Sequence, residues 1–146
     1  MMEMLRYPVE LHQDEDGFTV TLPDMPYGVT CGQTSQEALL NAVDCLEEII
    51  ASLINDNKDI PHPSLAHKRP TVTLSPEFSA KVLLYSALRE RHLTKTELAK
   101  RLHWKQPQIE KLFDIEHSSS LSKLSAVASA LGKNLVIGLE DSHQTV

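Results

Sequence analysis

The chain has 146 residues, a formal net charge of −6 and two cysteines, and 41% of it is hydrophobic, which suits one ordinary soluble domain or two small ones. Cys31 and Cys45 are too few and wrongly spaced for a disulfide framework or a zinc site. No apolar run approaches the roughly 20 residues that span a bilayer and no charged-then-apolar leader opens the sequence, so no membrane partner is implied and a cytoplasmic location is expected.

The charge is unevenly spread. Residues 1–70 carry four basic side chains (Arg6, Lys58, Lys68, Arg69) against twelve acidic ones, a balance of −8, whereas residues 71–146 carry ten against eight, a balance of +2. Such a split predicts two units with different partners, a basic one for the front and DNA for the back.

In chain order, Leu5, Tyr7, Val9 and Leu11 alternate with Arg6, Pro8 and Glu10, the two-residue period of a half-buried strand, with Pro8 confining it to an edge. Asp14-Glu15-Asp16-Gly17 supplies a tight hairpin turn, and Phe18, Val20 and Leu22 start the return strand. Pro23-Asp24-Met25-Pro26 ends that strand, and Val29 to Cys31 forms a third one before Gly32. Thr34, with Glu37 three residues on, has the form of a capping box. The helix it opens buries Leu39, Ala42, Val43, Leu46, Ile49, Ile50 and Leu53, and ends near Asn55 to Asn57. Such a helix has to lie across the sheet, which makes the front half α+β.

The prolines of residues 58–70 bar a helix and predict an extended, flexible connector. Val72 and Leu74 predict a fourth strand returning to the sheet. Ser75-Pro76 then caps and opens a helix whose apolar face is Phe78, Val82, Leu84, Tyr85 and Leu88. Ser118 to Ser120 reads as a loop, Leu121 to Leu131 as a helix stopped by Gly132, Leu135 to Ile137 as a short strand paired with a second copy of the chain, and 141–146 as a flexible tail.

Between these lies Leu93 to Phe113. Thr94 and Glu97 again form a capping box; Leu98, Ala99 and Leu102 share one helical face, and Ile109, Leu112 and Phe113 share the next. The stretch resembles the phage-repressor type of helix-turn-helix through Thr94, Leu98-Ala99, Leu102, Gln106, Ile109 and Leu112. It departs at His103, where that pattern favours Gly, so a non-glycine residue must take a left-handed or similar conformation. In such a motif the second helix enters the major groove. Gln106 can pair with adenine, Pro107 can meet a thymine methyl, and Lys111 can reach guanine or phosphate; Lys105, Gln108 and Lys95 complete the DNA-facing set.

Catalysis has weaker support. Asp14, Glu15, Asp16 and Asp24 form the only acidic cluster suited to a metal nuclease, but they sit in turns where Asp serves the backbone. His62 and His67 lack a ligand partner at metal spacing. Ser64 and Ser79 have no evident base. No metal and no cofactor is implied, and the chain is expected not to be an enzyme.

Tyr7-Pro8-Val9, Gly17-Phe18, Val20, Leu22-Pro23-Asp24, Pro26, Gly32, Thr34 and Glu37-Ala38 together resemble the N-terminal domain of HicB-family antitoxins, and the attached helix-turn-helix matches one branch of that family. The resemblance implies a truncated RNase-H-like domain that has lost nuclease function, with a three- to four-stranded sheet and one long helix over residues 1–70. It implies a helix-turn-helix DNA-binding and dimerisation domain over 71–140. The partners it implies are a HicA-type toxin, a small basic ribonuclease that cleaves mRNA, and operator DNA, bound as a homodimer or higher oligomer. The toxin-facing candidates are Asp14, Asp16, Asp24, Met25 and Tyr27. The competing reading is a one-component repressor whose front half senses a small ligand, and a third is a vestigial nuclease.

Overall fold

A computed structural model describes residues 5–141 and shows there an α+β chain with two small antiparallel sheets and five helices. Its strands are β1 (Arg6–Pro8), β2 (Glu10–Asp14), β3 (Gly17–Thr21), β4 (Val29–Gly32) and β5 (Thr71–Thr73). Its helices are α1 (Ser35–Asn55), α2 (Pro76–Glu90), α3 (Lys95–Leu102), α4 (Gln106–Leu112) and α5 (Leu121–Ala130).

The expected first strand is two strands with different partners. β2, β3 and β4 form a meander in that order, with Asp14 opposite Gly17 and Phe18 opposite Gly32. β1 instead pairs with β5 in a separate two-stranded ladder, Tyr7 opposite Val72. The change of partner falls at Pro8-Val9. Pro8 has no N–H to offer a ladder, and the Val9 N–H turns to the Pro70 carbonyl at 2.8 Å. The predicted fourth strand therefore forms as β5 but joins β1 rather than the meander, tying the start of residues 71–146 to the start of the chain.

α1 opens on Thr34, whose hydroxyl accepts the Glu37 N–H at 3.1 Å. Its fully buried positions, Ala38, Ala42, Leu46, Ile50 and Ile54, recur every four residues and pack over β3, β4 and β5. Leu39, Val43, Ile49 and Leu53 flank this stripe half-buried. Burying each large aliphatic side chain contributes about 1.5–3 kcal/mol. Gly32 permits the close approach, since a Cβ there would lie 2.4 Å from the Ala38 nitrogen. Asn41 of α1 donates to the Cys31 carbonyl at 2.8 Å, which covers part of the outer edge of β4.

The connector of residues 58–70 is pinned, contrary to the flexible segment expected. The Tyr7 hydroxyl donates to the Pro61 carbonyl at 2.7 Å and the Tyr85 hydroxyl to the Lys58 carbonyl at 2.8 Å. Ile60 is buried, and Arg89 pairs with Asp59 at 2.5 Å. Burial pushes the Tyr7 phenol up to about 12, with Asp24 adding to the shift.

No strand forms over Leu135–Ile137 in the single chain. Val136, Ile137 and Leu139 lie exposed there, since a strand needs a ladder partner to exist. Glu140 nevertheless pairs with Arg6, bringing this segment back beside β1. Of the tail expected over 141–146, residues 142–146 lie outside the described residues.

Candidate functional site

α3 and α4 are two short helices joined by a tight turn. At the start of α3, Thr94 and Glu97 form the full reciprocal box: the Glu97 N–H donates to the Thr94 hydroxyl at 3.1 Å, and the Thr94 N–H to the Glu97 carboxylate at 3.3 Å. α3 ends at His103, held in the left-handed region at φ 57°, ψ 36°, as the missing glycine required. The Trp104 N–H closes the turn onto the Ala99 carbonyl at 2.9 Å. Lys105 then precedes α4, and Pro107 lies in its first turn, where no amide hydrogen is needed.

The inner faces meet through Leu98, Ala99, Ile109, Leu112 and Phe113, all buried, with α5 behind α3 and α2 behind α5. The Tyr85 ring meets Phe113 edge-on, centroids 6.4 Å apart. Lys105, Gln106, Pro107, Gln108, Glu110 and Lys111 make up the exposed side of α4.

Not all of these side chains are free. The Gln108 side-chain oxygen accepts the Lys105 N–H at 2.8 Å, so Gln108 serves as a helix cap. The Gln106 amide donates to Glu110 at 2.9 Å. Lys95 lies against Glu110 at 3.4 Å and over the Phe113 ring at 5.8 Å from its centroid, which commits it to fastening α3 to α4. Lys105 and Pro107 remain turned to solvent.

Lys81 of α2 holds this helix pair from behind, and the sequence reading passed over it. It is 1% exposed, and its ammonium donates to the Asp114 carbonyl at 2.7 Å, to the His117 carbonyl and, at 3.5 Å, to the Lys111 carbonyl. These groups end α4 and begin the following loop. Burial pulls the Lys81 amine below its ordinary value, opposed by Glu77 and Asp114. Glu77 accepts the Ser119 N–H at 2.7 Å, so one turn of α2 fixes both ends of the loop. Lys81 lies between Phe78 and Tyr85 on the apolar face of α2; a cation in that stripe was the available signal.

A cleft of about 680 Å³ separates α4 from α1. Asp44, Glu47 and Glu48 face Lys95, Glu110 and Lys111 across it, and burial with Asp44 nearby raises the Glu47 carboxyl. Carboxylates thus crowd the Lys111 side of α4, whereas Lys105 is not among the residues lining this cleft.

In the front half the five candidates divide. Asp14 and Asp16 occupy the β2–β3 turn, where Asp14 accepts the Asp16 N–H at 2.8 Å. Asp24, Met25 and Tyr27 lie beyond the other end of β3, about 17 Å away at the usual rise per strand residue. Asp24 is engaged by the Ser64 N–H at 2.8 Å and hydroxyl at 3.1 Å. Met25 is a correction: at 5% exposed it is a core residue, because its loop folds back so that the Met25 N–H reaches the Leu22 carbonyl at 3.0 Å. Tyr27 is the opposite case, 97% exposed with φ at 57°.

A family model described as HicB_like antitoxin of bacterial toxin-antitoxin system matches residues 6–83. The chain belongs to the HicB-like antitoxin family. The match runs across all five strands, α1 and the first half of α2 of this HicB-like chain. The likeness continues beyond it. Antitoxin HicB 1 of Photorhabdus laumondii is 35% identical over 142 residues, 96% of this chain and 90% of that one. Antitoxin HicB of Escherichia coli K12 is 34% identical over 133 residues, 90% of this chain and 96% of its own. Antitoxin HicB of Pseudomonas fluorescens is 28% identical over 139 residues, 94% and 95% of the two chains. These alignments cover too much of the HicB-like chain to stop short of the α3–α4 pair. Among the described residues no helix is long and apolar enough to cross a membrane.

Proposed function

We propose that this chain is a cytoplasmic antitoxin that binds and inhibits a HicA-type mRNA-cleaving ribonuclease toxin, and that it represses its own operon by sequence-specific DNA binding. Two units divide the work. The meander with α1, a truncated RNase-H-like arrangement, occludes the toxin; α3 and α4 act as a helix-turn-helix that reads DNA. The observation that carries the reading is the match of the acidic front half to an antitoxin family, fused to a helix pair that turns Lys105, Gln106 and Pro107 outward.

A front half with a balance of −8 complements a small basic ribonuclease, whose active surface must itself attract RNA phosphates. Exposed Tyr27 is the aromatic anchor for that partner, with Asp14 and Asp16 adding charge at the other end of β3. Operator reading falls to Gln106 and Pro107 at base edges and to Lys105 at phosphates, and Lys111 contributes at the rim. A homodimer, formed where Val136, Ile137 and Leu139 stand exposed, sets two such helices on a two-fold operator. The protein works by binding, with no catalytic step of its own.

The test co-expresses the full-length chain with the small basic protein encoded beside it. Wild type and Gln106→Ala should both co-purify with that partner and restore growth, while Gln106→Ala alone loses repression of a reporter under the native promoter. Combined Asp14→Ala, Asp16→Ala and Tyr27→Ala should lose rescue and keep repression. Repression without any co-purification or rescue rejects the antitoxin reading and favours a ligand-sensing repressor.

A further inference from the structure

Within α4, Gln106 and Glu110 are one turn apart, and the Gln106 Nε2 donates to Glu110 Oε1 at 2.9 Å. The other oxygen, Oε2, lies 3.4 Å from the Lys95 ammonium, which is itself fixed over Phe113. A carboxylate offers no hydrogen, so only the NH2 end of the Gln106 amide can face it. The orientation of the exposed amide is thereby determined, with its oxygen turned away from Glu110.

The contact also changes what the amide can read. A free glutamine has two N–H donors and one acceptor. With one N–H held by Glu110, Gln106 presents one donor and one acceptor. That pair complements the N7 acceptor and N6 amino group of adenine, whereas the guanine edge shows two acceptors and asks for two donors. Glu110 also places a negative charge at the reading surface, which opposes sequence-independent attraction to phosphates.

We infer that Glu110 is a specificity-determining positioning residue, anchored by Lys95, which makes Gln106 select adenine over guanine and restrains binding to unrelated DNA. The inference rests on the reading of α4 as a DNA-recognition helix.

The experiment uses the full-length chain and a randomised duplex pool. Enrichment by wild type, compared with Gln106→Ala, identifies the position that Gln106 reads. At that position Glu110→Ala should reduce the adenine-over-guanine preference by roughly fivefold or more, the lower end of what one good base contact supplies. Its affinity for a scrambled duplex should rise, as the removal of one negative charge requires, and its thermal midpoint should stay within about 2 °C of wild type, as for an ordinary surface substitution. Glu110→Gln keeps an acceptor for the amide, so it should retain the preference while also binding scrambled DNA more tightly. Unchanged preference in Glu110→Ala overturns the inference, as does equal loss in both variants, which would make the effect one of charge alone. A pool in which Gln106→Ala alters no position removes Gln106 as a reader and the inference with it. No enrichment by wild type overturns the DNA-binding reading itself.

Discussion

Replacing Lys81 with methionine tests whether α2 holds the α4–α5 loop through a buried cation. The substitution keeps the aliphatic stem and removes the ammonium that donates to the Asp114 and His117 carbonyls and, more weakly, to Lys111. A hydrogen bond from a charged donor contributes about 1.5–3 kcal/mol, and the carbonyls left behind lose their partner. Against this, the variant no longer keeps an ammonium out of water, which returns part of the loss. The balance is a destabilisation of about 1–3 kcal/mol. Lys81→Ala removes roughly three further buried carbon positions at about 0.8 kcal/mol each, raising the loss to about 3–5 kcal/mol.

Urea unfolding followed through the single tryptophan, Trp104, measures both changes, and amide exchange localises them. His117 and Ser119 should exchange faster in Lys81→Met, while amides of the β2–β3 ladder should not. The pH dependence has a definite sign. Because the folded amine lies below the ordinary value of 10.5, the unfolded chain holds more protons in the window between the lowered value and 10.5. Wild type therefore gains stability relative to Lys81→Met as pH rises through that window. Equal stability of wild type and Lys81→Met, with unchanged exchange at His117 and Ser119, would refute the clamp.

Tyr7→Phe removes the hydrogen bond to the Pro61 carbonyl and should cost about 1 kcal/mol at neutral pH. The Tyr7 phenol is raised from 10.0 to about 12, so its contribution is complete below pH 10 and is lost as pH climbs toward 12. The variant should show a smaller alkaline loss over that interval in a denaturant titration. His103→Gly relieves a left-handed non-glycine backbone and should stabilise the fold by up to about 1 kcal/mol in thermal or urea melts; a loss would mean that the His103 side chain has a role of its own. On DNA, Gln106→Ala should relax base preference at one position by about 1–3 kcal/mol in competition binding, whereas Lys105→Ala should weaken all duplexes alike and lower the salt slope by about one. Equal loss on specific and random DNA for Gln106→Ala would reject its assigned role.

Much of the architecture was legible because its signals are local. Asp16-Gly17 announced the hairpin, Thr94 and Glu97 announced the start of α3, and the absence of glycine at 103 pointed to the left-handed histidine that the structure holds there. Spacing alone also marked Leu98, Ala99, Ile109, Leu112 and Phe113, all buried in the structure, although on α1 it missed Ala38 and Ile54. What escaped depends on partners distant in sequence. Nothing near Val9 says that its N–H will seek Pro70, and the prolines of residues 58–70 gave no hint of the two tyrosine hydroxyls that pin the connector. At the candidate site, residue type suggested DNA contact for Gln108 and Lys95. The fold instead uses one as a cap and the other as a fastening, because each found a nearer partner than solvent. Met25 was misplaced for a similar reason: loop composition says little about which side chain turns inward.

The pairing of β1 with β5 has a consequence in time. Arg6 lies opposite Thr73, so this ladder joins segments separated by the whole meander, α1 and the connector, whereas β2 to β4 pair across short loops. Loop closure over so long a stretch is entropically costly and becomes favourable once the intervening chain is compact. During synthesis the meander and α1 emerge before β5 exists, and the first strand waits unpaired beside them. The ladder is thus the last stitch of the front half and the first attachment of the helices that follow. In a nascent chain the meander and α1 therefore leave the ribosome ahead of α3 and α4.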